Sequence, residues 1–220
     1  MLVTRRSVGR TLIAATAMTV ALLACPATNR AHAASEYVEG AKAFLQDLAD
    51  RTIATLNQKQ LSPPDRIKAF RDLFNQGFDV PSIGQFVAGR SWARANEPQK
   101  IAYLQVFEDV TILTWALRFD QYNGEKLSIE KAREDGKAVL IESLIMRPGG
   151  KDPVRVDWRI EKGKDGYKIL DIVAEGTSLA IAQRADYSAV IQQNNGQFEA
   201  LIHALRNKRE KLRQQAQLEN

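Results

Sequence analysis

The fold is decided by residues 154–205, VRVDWRIEKGKDGYKILDIVAEGTSLAIAQRADYSAVIQQNNGQFEALIHAL. Over residues 154–161 apolar and charged side chains alternate, which is the period of a β-strand with one buried face and one face in water. The Lys-Asp-Gly run at 164–166 is a turn signal, and residues 167–174 have the composition of a second strand. The stretch therefore begins with a predicted β-hairpin.

After Gly176 the same stretch changes to a helical period. Thr177 or Ser178 can cap a helix, its apolar residues recur at helical spacing, and the Asn-Asn-Gly run at 194–196 ends it. Apolar residues from Phe198 onwards begin a second amphipathic helix, which continues into a basic tail. The hairpin is thus followed by two predicted helices.

The preceding part of the chain indicates helices first and strands second. Helices are predicted over Tyr37–Leu56, after a Ser62 cap, over Val80–Ala88 and over Glu97–Tyr122, and strands over Lys126–Arg133 and Ala138–Arg147. With the hairpin this makes a meander of four antiparallel strands, so the element order is α+β. The helix over 97–122 is apolar around much of its circumference, which fits a core helix, a cavity wall or both.

Residues 1–33 have the pattern of a cleavable signal peptide. Arginines without any acid precede an apolar core, and Ala-His-Ala at 31–33 is a typical cleavage site. The apolar core is short for a membrane span, although an N-terminal anchor is the alternative. We therefore expect export to the periplasm by the Sec route or, given Arg5-Arg6, the twin-arginine route. Residues 34–220 are long enough for a single domain with a real core.

Composition excludes several classes of function. The chain carries 31 Lys and Arg against 26 Asp and Glu, and the predicted signal peptide contains four of the basic residues and no acid. The rest is nearly neutral, which argues against a nucleic-acid partner. The sole cysteine, Cys25, lies in the predicted signal peptide, and beyond it His203 is the sole histidine. We therefore expect no metal site, no catalytic triad and no cofactor.

Three blocks of sequence resemble one known family. Tyr167–Leu179 fits its pattern aromatic-x-x-x-Asp-Ile/Val-x-x-Glu-Gly-x-Ser-Leu, and Phe78–Trp92 and Gln99–Tyr122 are similar to two further blocks. The sequence thus resembles the MlaC family of periplasmic phospholipid-binding proteins, also called the toluene-tolerance auxiliary family, which includes a hopanoid-associated branch. Tyr167 departs from the pattern, since many members have Trp there.

The resemblance implies a fold and a function. The fold would be a curved four-stranded antiparallel sheet wrapped by helices, NTF2-like, with additional N- and C-terminal helices. The protein would be a soluble periplasmic carrier without enzymatic activity, whose cargo is a phospholipid or a hopanoid-type lipid. It would shuttle lipid between an inner-membrane ABC transporter with an MCE-domain ring and an outer-membrane lipoprotein–porin complex, and so maintain lipid asymmetry.

Such a carrier needs a deep apolar cavity. The tails of a phospholipid contain roughly 30 methylenes, worth on the order of 25 kcal/mol against water, and a charge along them would cost several kcal/mol. The head group can stay in solvent at the mouth, which would make the protein tolerant of head-group type. We predict the following lining residues: Phe86, Phe107, Trp115, Phe119, Val156, Trp158, Ile160, Ile169, Leu179 and Ile181.

Asp171 and Arg184 are the polar residues that the sequence singles out. Asp171 interrupts an apolar strand and Arg184 lies on the following helix, so the two can form a structural salt bridge or lie near a lipid phosphate. Two other classes of function stay open. One is an isomerase of the ketosteroid type with Asp171 and Tyr167 as its acid–base pair; the other is an adaptor with a filled core and no cavity.

Overall fold

A computed structural model of the protein describes residues 27–58, 60–119 and 121–216, with side chains from residue 35 onwards. In chain order the elements are α1 (Ala27–Leu56), α2 (Pro63–Gly77), α3 (Val80–Ala88), α4 (Arg90–Arg94), α5 (Glu97–Phe119), β1 (Lys126–Asp135), β2 (Ala138–Met146), β3 (Val154–Gly163), β4 (Gly166–Ala174), β5 (Thr177–Ser178), α6 (Leu179–Gln193) and α7 (Phe198–Gln215). Most of the predicted signal peptide lies outside the described residues, and its cleavage site falls in the first turns of α1.

The strands form a single antiparallel sheet in the order β1-β2-β3-β4-β5. The four predicted strands are confirmed, and the two-residue β5 adds a short edge that the sequence did not predict. A bulge in β1 shifts its register between Ile129 and Lys131, and another shifts the pairing of β3 with β4 at Arg159 and Ile160. Bulges increase the local bend and twist of a sheet. The sheet is accordingly curved, as the resemblance implied.

Capping side chains start the helices where the sequence predicted. The Ser62 hydroxyl accepts a hydrogen bond from the Asp65 N–H at the start of α2, and Ser178 does the same for Ile181 at the start of α6. Asn96 and Gln99 exchange hydrogen bonds with each other's backbone N–H groups in a capping box. These contacts satisfy N–H groups that a helix start leaves without partners.

The long helix is shorter than predicted, and one short helix was not predicted. The long helix ends at Phe119 rather than Tyr122, and residues 121–125 form a loop into β1. A short helix, α4, follows α3 after Gly89, whose φ of 61° is a conformation that favours glycine. Because it spans only Arg90–Arg94, its sequence is too short to show a helical period.

The apolar side chains form two cores. The larger core lies among helices, with α5 packed against α7 and flanked by α3 and α6; it includes Tyr103, Phe107, Val110, Leu201 and Ile202. The smaller core lies between α1 and the sheet and consists of Ala41, Leu45, Leu48, Val139, Ile141, Ile160 and Ile169. The sheet therefore packs against α1 on its inner face, and the other helices complete the enclosure.

The first part of α1 is held tightly against the sheet. The Tyr37 hydroxyl donates to the Lys137 carbonyl at 2.6 Å, the Tyr167 hydroxyl donates to the Tyr37 carbonyl at 3.1 Å, and the two rings stack at 5.8 Å. Gly40 makes this approach possible, because a Cβ at that position would collide with the Tyr167 hydroxyl. We call these contacts, made by Tyr37, Gly40, Lys137 and Tyr167, the tyrosine clamp.

Two features are absent from the described residues. No helix in ranges 27–58, 60–119 and 121–216 is both long and apolar enough to cross a membrane. In the same part of the chain, no group of three or more His, Cys, Asp or Glu side chains is placed to hold a metal ion.

Candidate functional site

A cavity of about 530 Å³ lies between the second half of α1 and the sheet. This volume falls within the range of roughly 300–1,000 Å³ that is typical of small-molecule sites. α2 and the last turn of α5 complete its walls, and the apolar wall residues are Leu45, Leu48, Ala49, Ile53, Leu56, Phe70, Leu73, Phe74, Phe78, Trp115, Phe119, Leu127, Ile145, Val156, Trp158, Ile172, Ala174 and Leu179. Nearly the whole wall is therefore hydrocarbon.

The wall contributed by α1 follows from helical spacing. Its lining residues are 45, 48, 49, 52, 53 and 56, a series in which successive members are separated by one or three positions. Residues at this spacing lie along one face of a helix. Thr52 is the polar member, and its hydroxyl donates to the Leu48 carbonyl at 2.7 Å. The hydrogen bond leaves this face without a free polar donor.

The wall contributed by the sheet follows from strand register. Leu127 pairs with Ile145, Val156 with Ala174, and Trp158 with Ile172. Residues paired across strands point to the same face, so alternation along β1 to β4 produces a continuous apolar surface. All six of these residues line the cavity.

A buried serine fixes the orientation of the largest of these side chains. Ser143 is 1% exposed; its hydroxyl accepts a hydrogen bond from Trp158 Nε1 at 2.9 Å and donates to the Val156 carbonyl at 2.6 Å. A buried indole N–H needs an acceptor. Ser143 supplies that acceptor, so the Trp158 ring can form part of the wall while its polar atom is satisfied inside the sheet.

The mouth of the cavity is formed by the segment that joins α5 to β1. Among the lining residues, Arg118, Gln121 and Lys126 are exposed, whereas the others are buried or half-buried. Among the described residues, the charged ones that line the cavity are Arg118 in the last turn of α5, Glu125 in this segment and Lys126 at the start of β1. Charge is thus confined to the solvent end of an otherwise apolar cavity.

Hydrogen bonds within the segment hold the mouth in place. The Tyr122 hydroxyl donates to the Glu125 carbonyl at 3.1 Å, and a Glu125 carboxylate oxygen accepts from the Asn123 N–H at 2.8 Å. Burial, followed by the nearby Glu125 charge, raises the pKa of Tyr122. Its phenol therefore stays protonated at neutral pH and available as a donor.

The chain matches the family described as MlaC protein over residues 46–207. The protein belongs to the MlaC family. Every residue that lines the cavity, apart from Leu45, lies within the matched part of the chain. The cavity is therefore built almost entirely from the part of this MlaC chain that matches its family.

A solved structure has the same fold. It is described as the phospholipid-binding protein from Ralstonia solanacearum in complex with a phospholipid. The TM-score is 0.68 at 23% sequence identity, and the match covers 78% of this chain and 98% of that one. The comparison confirms the α+β architecture of a curved antiparallel sheet with helices around it.

Half of the lining residues predicted from the sequence lie at the cavity of this MlaC protein, and half do not. Those at the cavity are Trp115, Phe119, Val156, Trp158 and Leu179. Ile160 and Ile169 point to the same face of the sheet, but they are fully buried in the core that includes Ala41, Leu45 and Leu48 of α1. Period-two alternation identifies the face of a strand and carries no information about distance along the cavity.

The other misplaced predictions concern helices. Phe107 is 1% exposed and lies in the helical core, where it contacts Tyr103 and Tyr187. Phe86 and Ile181 are 44% and 62% exposed, on the outer sides of α3 and α6. In each case an apolar residue was assigned to the cavity by its type, although the helix presents more than one apolar face.

Asp171 and Arg184 do not meet in the structure. The Asp171 carboxylate accepts hydrogen bonds from the Ser178 hydroxyl at 2.5 Å and the Ala180 N–H at 3.1 Å, and so holds the start of α6 against β4. Arg184 lies instead over the Phe86 ring, 4.9 Å from its centroid. Neither residue lines the cavity. The structure thus gives Asp171 a capping role, and none of the ion pairs among the described residues includes it.

The cavity also bears on the two other classes of function that the sequence left open. The isomerase hypothesis needed Asp171 and Tyr167 together in the cavity, but Tyr167 belongs to the tyrosine clamp and neither residue reaches the cavity. The adaptor hypothesis required a filled core, and the cavity contradicts it. Asp171 and Tyr167 therefore do not form an acid–base pair in the cavity.

Sequence reasoning named no lining residue on α1 or α2. Both helices were predicted, but none of the ten predicted lining residues lies on either of them, whereas α1 lines the cavity from Leu45 to Leu56 and α2 contributes Phe70, Leu73 and Phe74. The signal that was available is the length of the apolar stripe on α1: it runs on to Leu56, beyond the α1 residues that form the core with the sheet.

Proposed function

We propose that this MlaC-family protein is a periplasmic carrier that holds the acyl tails of a phospholipid in the cavity between α1 and the sheet. The observation that carries the proposal is the distribution of charge around the cavity. Its walls are apolar along their length, and the charged lining residues are all at the mouth. This is the arrangement that an amphiphile with a long apolar part and a polar end requires.

Energetics favour a cavity of this composition. A carrier competes with the bilayer, so it must shield most of the roughly 25 kcal/mol of tail hydrophobicity to accept a lipid at all. Aromatic and aliphatic walls do this without an energetic penalty, whereas one unpaired charge along the tails would cost several kcal/mol. The hydrogen-bonded Thr52 and Trp158 satisfy the same requirement, because their polar atoms already have partners.

The comparisons support the proposal. The chain belongs to the MlaC family, and the Ralstonia solanacearum protein that shares its fold was solved with a phospholipid bound. By extension we propose that the protein exchanges lipid with an inner-membrane transporter complex and an outer-membrane lipoprotein–porin complex, and that it does so without catalysis.

Native mass spectrometry of the protein purified from its own periplasm tests the proposal. We expect one diacyl phospholipid per chain, identified after extraction. A polycyclic lipid of the hopanoid type would keep the carrier function and change the cargo. A protein that arrives without lipid, and takes none up from phospholipid vesicles, would contradict the proposal.

A pair of variants tests whether the lipid occupies this cavity. Ala49 lines the cavity and Ala54 is exposed, and both lie on α1. We expect Ala49→Trp to fill the space and reduce lipid uptake at least tenfold, as expected when about 1.4 kcal/mol or more of binding is lost. Ala54→Trp adds the same indole outside the cavity and serves as the matched control. Equal uptake by the two variants would place the lipid elsewhere.

A further inference from the structure

Two exposed cationic side chains lie at the mouth of the cavity. Arg118 and Lys126, at the end of α5 and the start of β1, are exposed and line the same cavity. Among the lining residues that the structure describes, the acidic one is Glu125, which accepts a hydrogen bond from the Asn123 N–H of its own loop. In this part of the chain, two cations therefore face an opening whose described carboxylate already has a partner.

Arg118 is held in a defined orientation. Its guanidinium carbon lies 5.0 Å from the centroid of the Trp115 ring, and Trp115 is itself part of the cavity wall. A guanidinium stacked on an aromatic face is restrained in that plane while its N–H edge stays free to donate. That edge is the geometry with which arginine binds phosphate through two parallel hydrogen bonds.

Neither cation has an acidic partner in the described part of the chain. The ion pairs among the described residues engage other arginines and lysines, for example Arg71 with Glu108 and Arg155 with Asp157. Arg71 shows what such a pair does: burial lowers its pKa, but the hydrogen bonds that its guanidinium donates to Asp109 and Glu108 outweigh that effect and raise the pKa. Arg118 makes a ring contact in place of such an ion pair.

We propose that Arg118 and Lys126 bind the phosphate diester of the lipid whose tails occupy the cavity. This inference rests on the proposed function and narrows its substrate class. It keeps the expected tolerance of head-group type and adds one preference: the protein binds a lipid with a phosphate better than a neutral lipid with the same tails. Head groups beyond the phosphate extend into solvent and make little difference.

Arg118 and Lys126 have different roles because their side chains differ in chemistry. Arg118 supplies a planar, oriented pair of donors, and Lys126 supplies a mobile point charge that can follow the phosphate as the lipid settles. Both are exposed, so their attraction is screened by salt and is modest compared with burial of the tails. The cations therefore select among lipids, and the apolar walls provide most of the affinity.

A competition experiment tests this selection. Delipidated protein is offered vesicles that contain phosphatidylcholine and diacylglycerol with identical chains, and the bound lipids are extracted and quantified. We expect the ratio of bound phospholipid to bound diacylglycerol to fall about tenfold in Arg118→Gln/Lys126→Gln. Lys131→Gln/Arg133→Gln removes the same charge from exposed positions of β1 that do not line the cavity, and it should keep the wild-type ratio.

Each outcome has a distinct meaning. An unchanged ratio in Arg118→Gln/Lys126→Gln, or an equal fall in the control, overturns the selective mouth while the carrier function stands. Wild-type protein that takes up neither lipid contradicts the proposed function itself.

A phosphate titration separates the lipid phosphate from a free one. Delipidated protein is titrated with inorganic phosphate and followed by NMR. The absence of saturable binding at millimolar phosphate supports recognition of the lipid phosphate, because the tails must then hold it at the mouth. Saturable binding that depends on Arg118 and Lys126 would overturn the lipid assignment in favour of a site for free phosphate.

Discussion

The inner face of the sheet has two ends that differ in what covers them. At the closed end, Val139, Ile141, Ile160 and Ile169 are fully buried against Ala41, Leu45 and Leu48 of α1. At the open end, Leu127, Ile145, Trp158 and Ile172 are half-buried and face the cavity. The same strands, with the same alternation, thus contribute to a filled core at one end and to an unfilled site at the other.

The difference arises from α1 rather than from the sheet. The tyrosine clamp holds the first part of α1 against the closed end, through the Tyr37 hydroxyl and the stacked Tyr167 ring. Further along α1 the apolar face continues to Leu56, but it faces the cavity together with α2 and α5. Stability and binding are therefore expected to separate along one sheet face, and mutations can test that separation.

The largest expected effect comes from truncating equivalent isoleucines at the two ends. Ile160→Ala removes a side chain that is 0% exposed and should lower the free energy of unfolding by about 2–5 kcal/mol, because the surrounding core closes only partly. Ile172→Ala removes a side chain that already borders the cavity, so the loss should be about 1–2 kcal/mol. Urea denaturation of lipid-free protein measures both.

The same two variants should show the opposite order in lipid uptake, with the larger loss in Ile172→Ala. Ile172→Ala changes the wall of the cavity, whereas Ile160→Ala changes a core that no lipid reaches. Equal losses of stability, or a stronger loss of uptake in Ile160→Ala under conditions where both variants are folded, would show that the two ends are not functionally distinct.

The sequence predicted the elements of this fold because each has a local signal. The alternation of residues 154–161, the Ser62 and Ser178 caps and the glycine-containing turns all act between residues close in the chain. The faces of the strands were predicted for the same reason, and Val156 and Trp158 do lie at the cavity. Local periodicity was sufficient for each of these inferences.

The position of the cavity could not be predicted in the same way. Ile169 and Ile172 belong to one strand, yet one is core and the other lines the cavity. That difference depends on where α1 leaves the sheet, which involves residues far apart in the chain, such as Tyr37 and Lys137, which are 100 positions apart. The mouth was missed because Arg118 and Lys126 lie on different elements, and only the fold brings both to one opening.

The tyrosine clamp offers a second, smaller perturbation of the closed end. A methyl group at Gly40 would collide with the Tyr167 hydroxyl, so Gly40→Ala should destabilise the protein by about 1–3 kcal/mol, as overpacked sites commonly do. Tyr167→Phe removes the colliding oxygen and should recover part of that loss when the two substitutions are combined. Thermal or urea unfolding of the four proteins in this cycle gives the coupling between the sites.

A coupling of zero would mean that Gly40 is not needed for the approach of α1 to the sheet. Gly40 lies inside α1 and does not have a positive φ, so the helical backbone alone favours alanine over glycine there. A loss of stability in Gly40→Ala that is relieved by Tyr167→Phe therefore belongs to the clamp.

The smallest expected effect is on the pH dependence of the free energy of unfolding, and it is tested by comparing a tyrosine of the helical core with one at the cavity. Burial raises the pKa of Tyr103, whose hydroxyl donates to the Gly84 carbonyl at 2.9 Å. The folded state therefore keeps this proton to higher pH than the unfolded chain does. The contribution is complete below the ordinary tyrosine pKa of about 10 and is lost above it, at up to about 1.4 kcal/mol per pH unit for each such group.

Two variants assign this alkaline loss to the core rather than to the mouth. Tyr103→Phe should flatten the fall in the free energy of unfolding above pH 10, because the proton that the folded state retains is no longer present. Tyr122→Phe should flatten it less, since Tyr122 is half-buried at the mouth and its raised pKa reflects partial burial and the Glu125 charge. Urea unfolding between pH 9 and 11 measures the slopes, and a larger change in Tyr122→Phe would mean that the cavity, and not the helical core, limits stability in alkali.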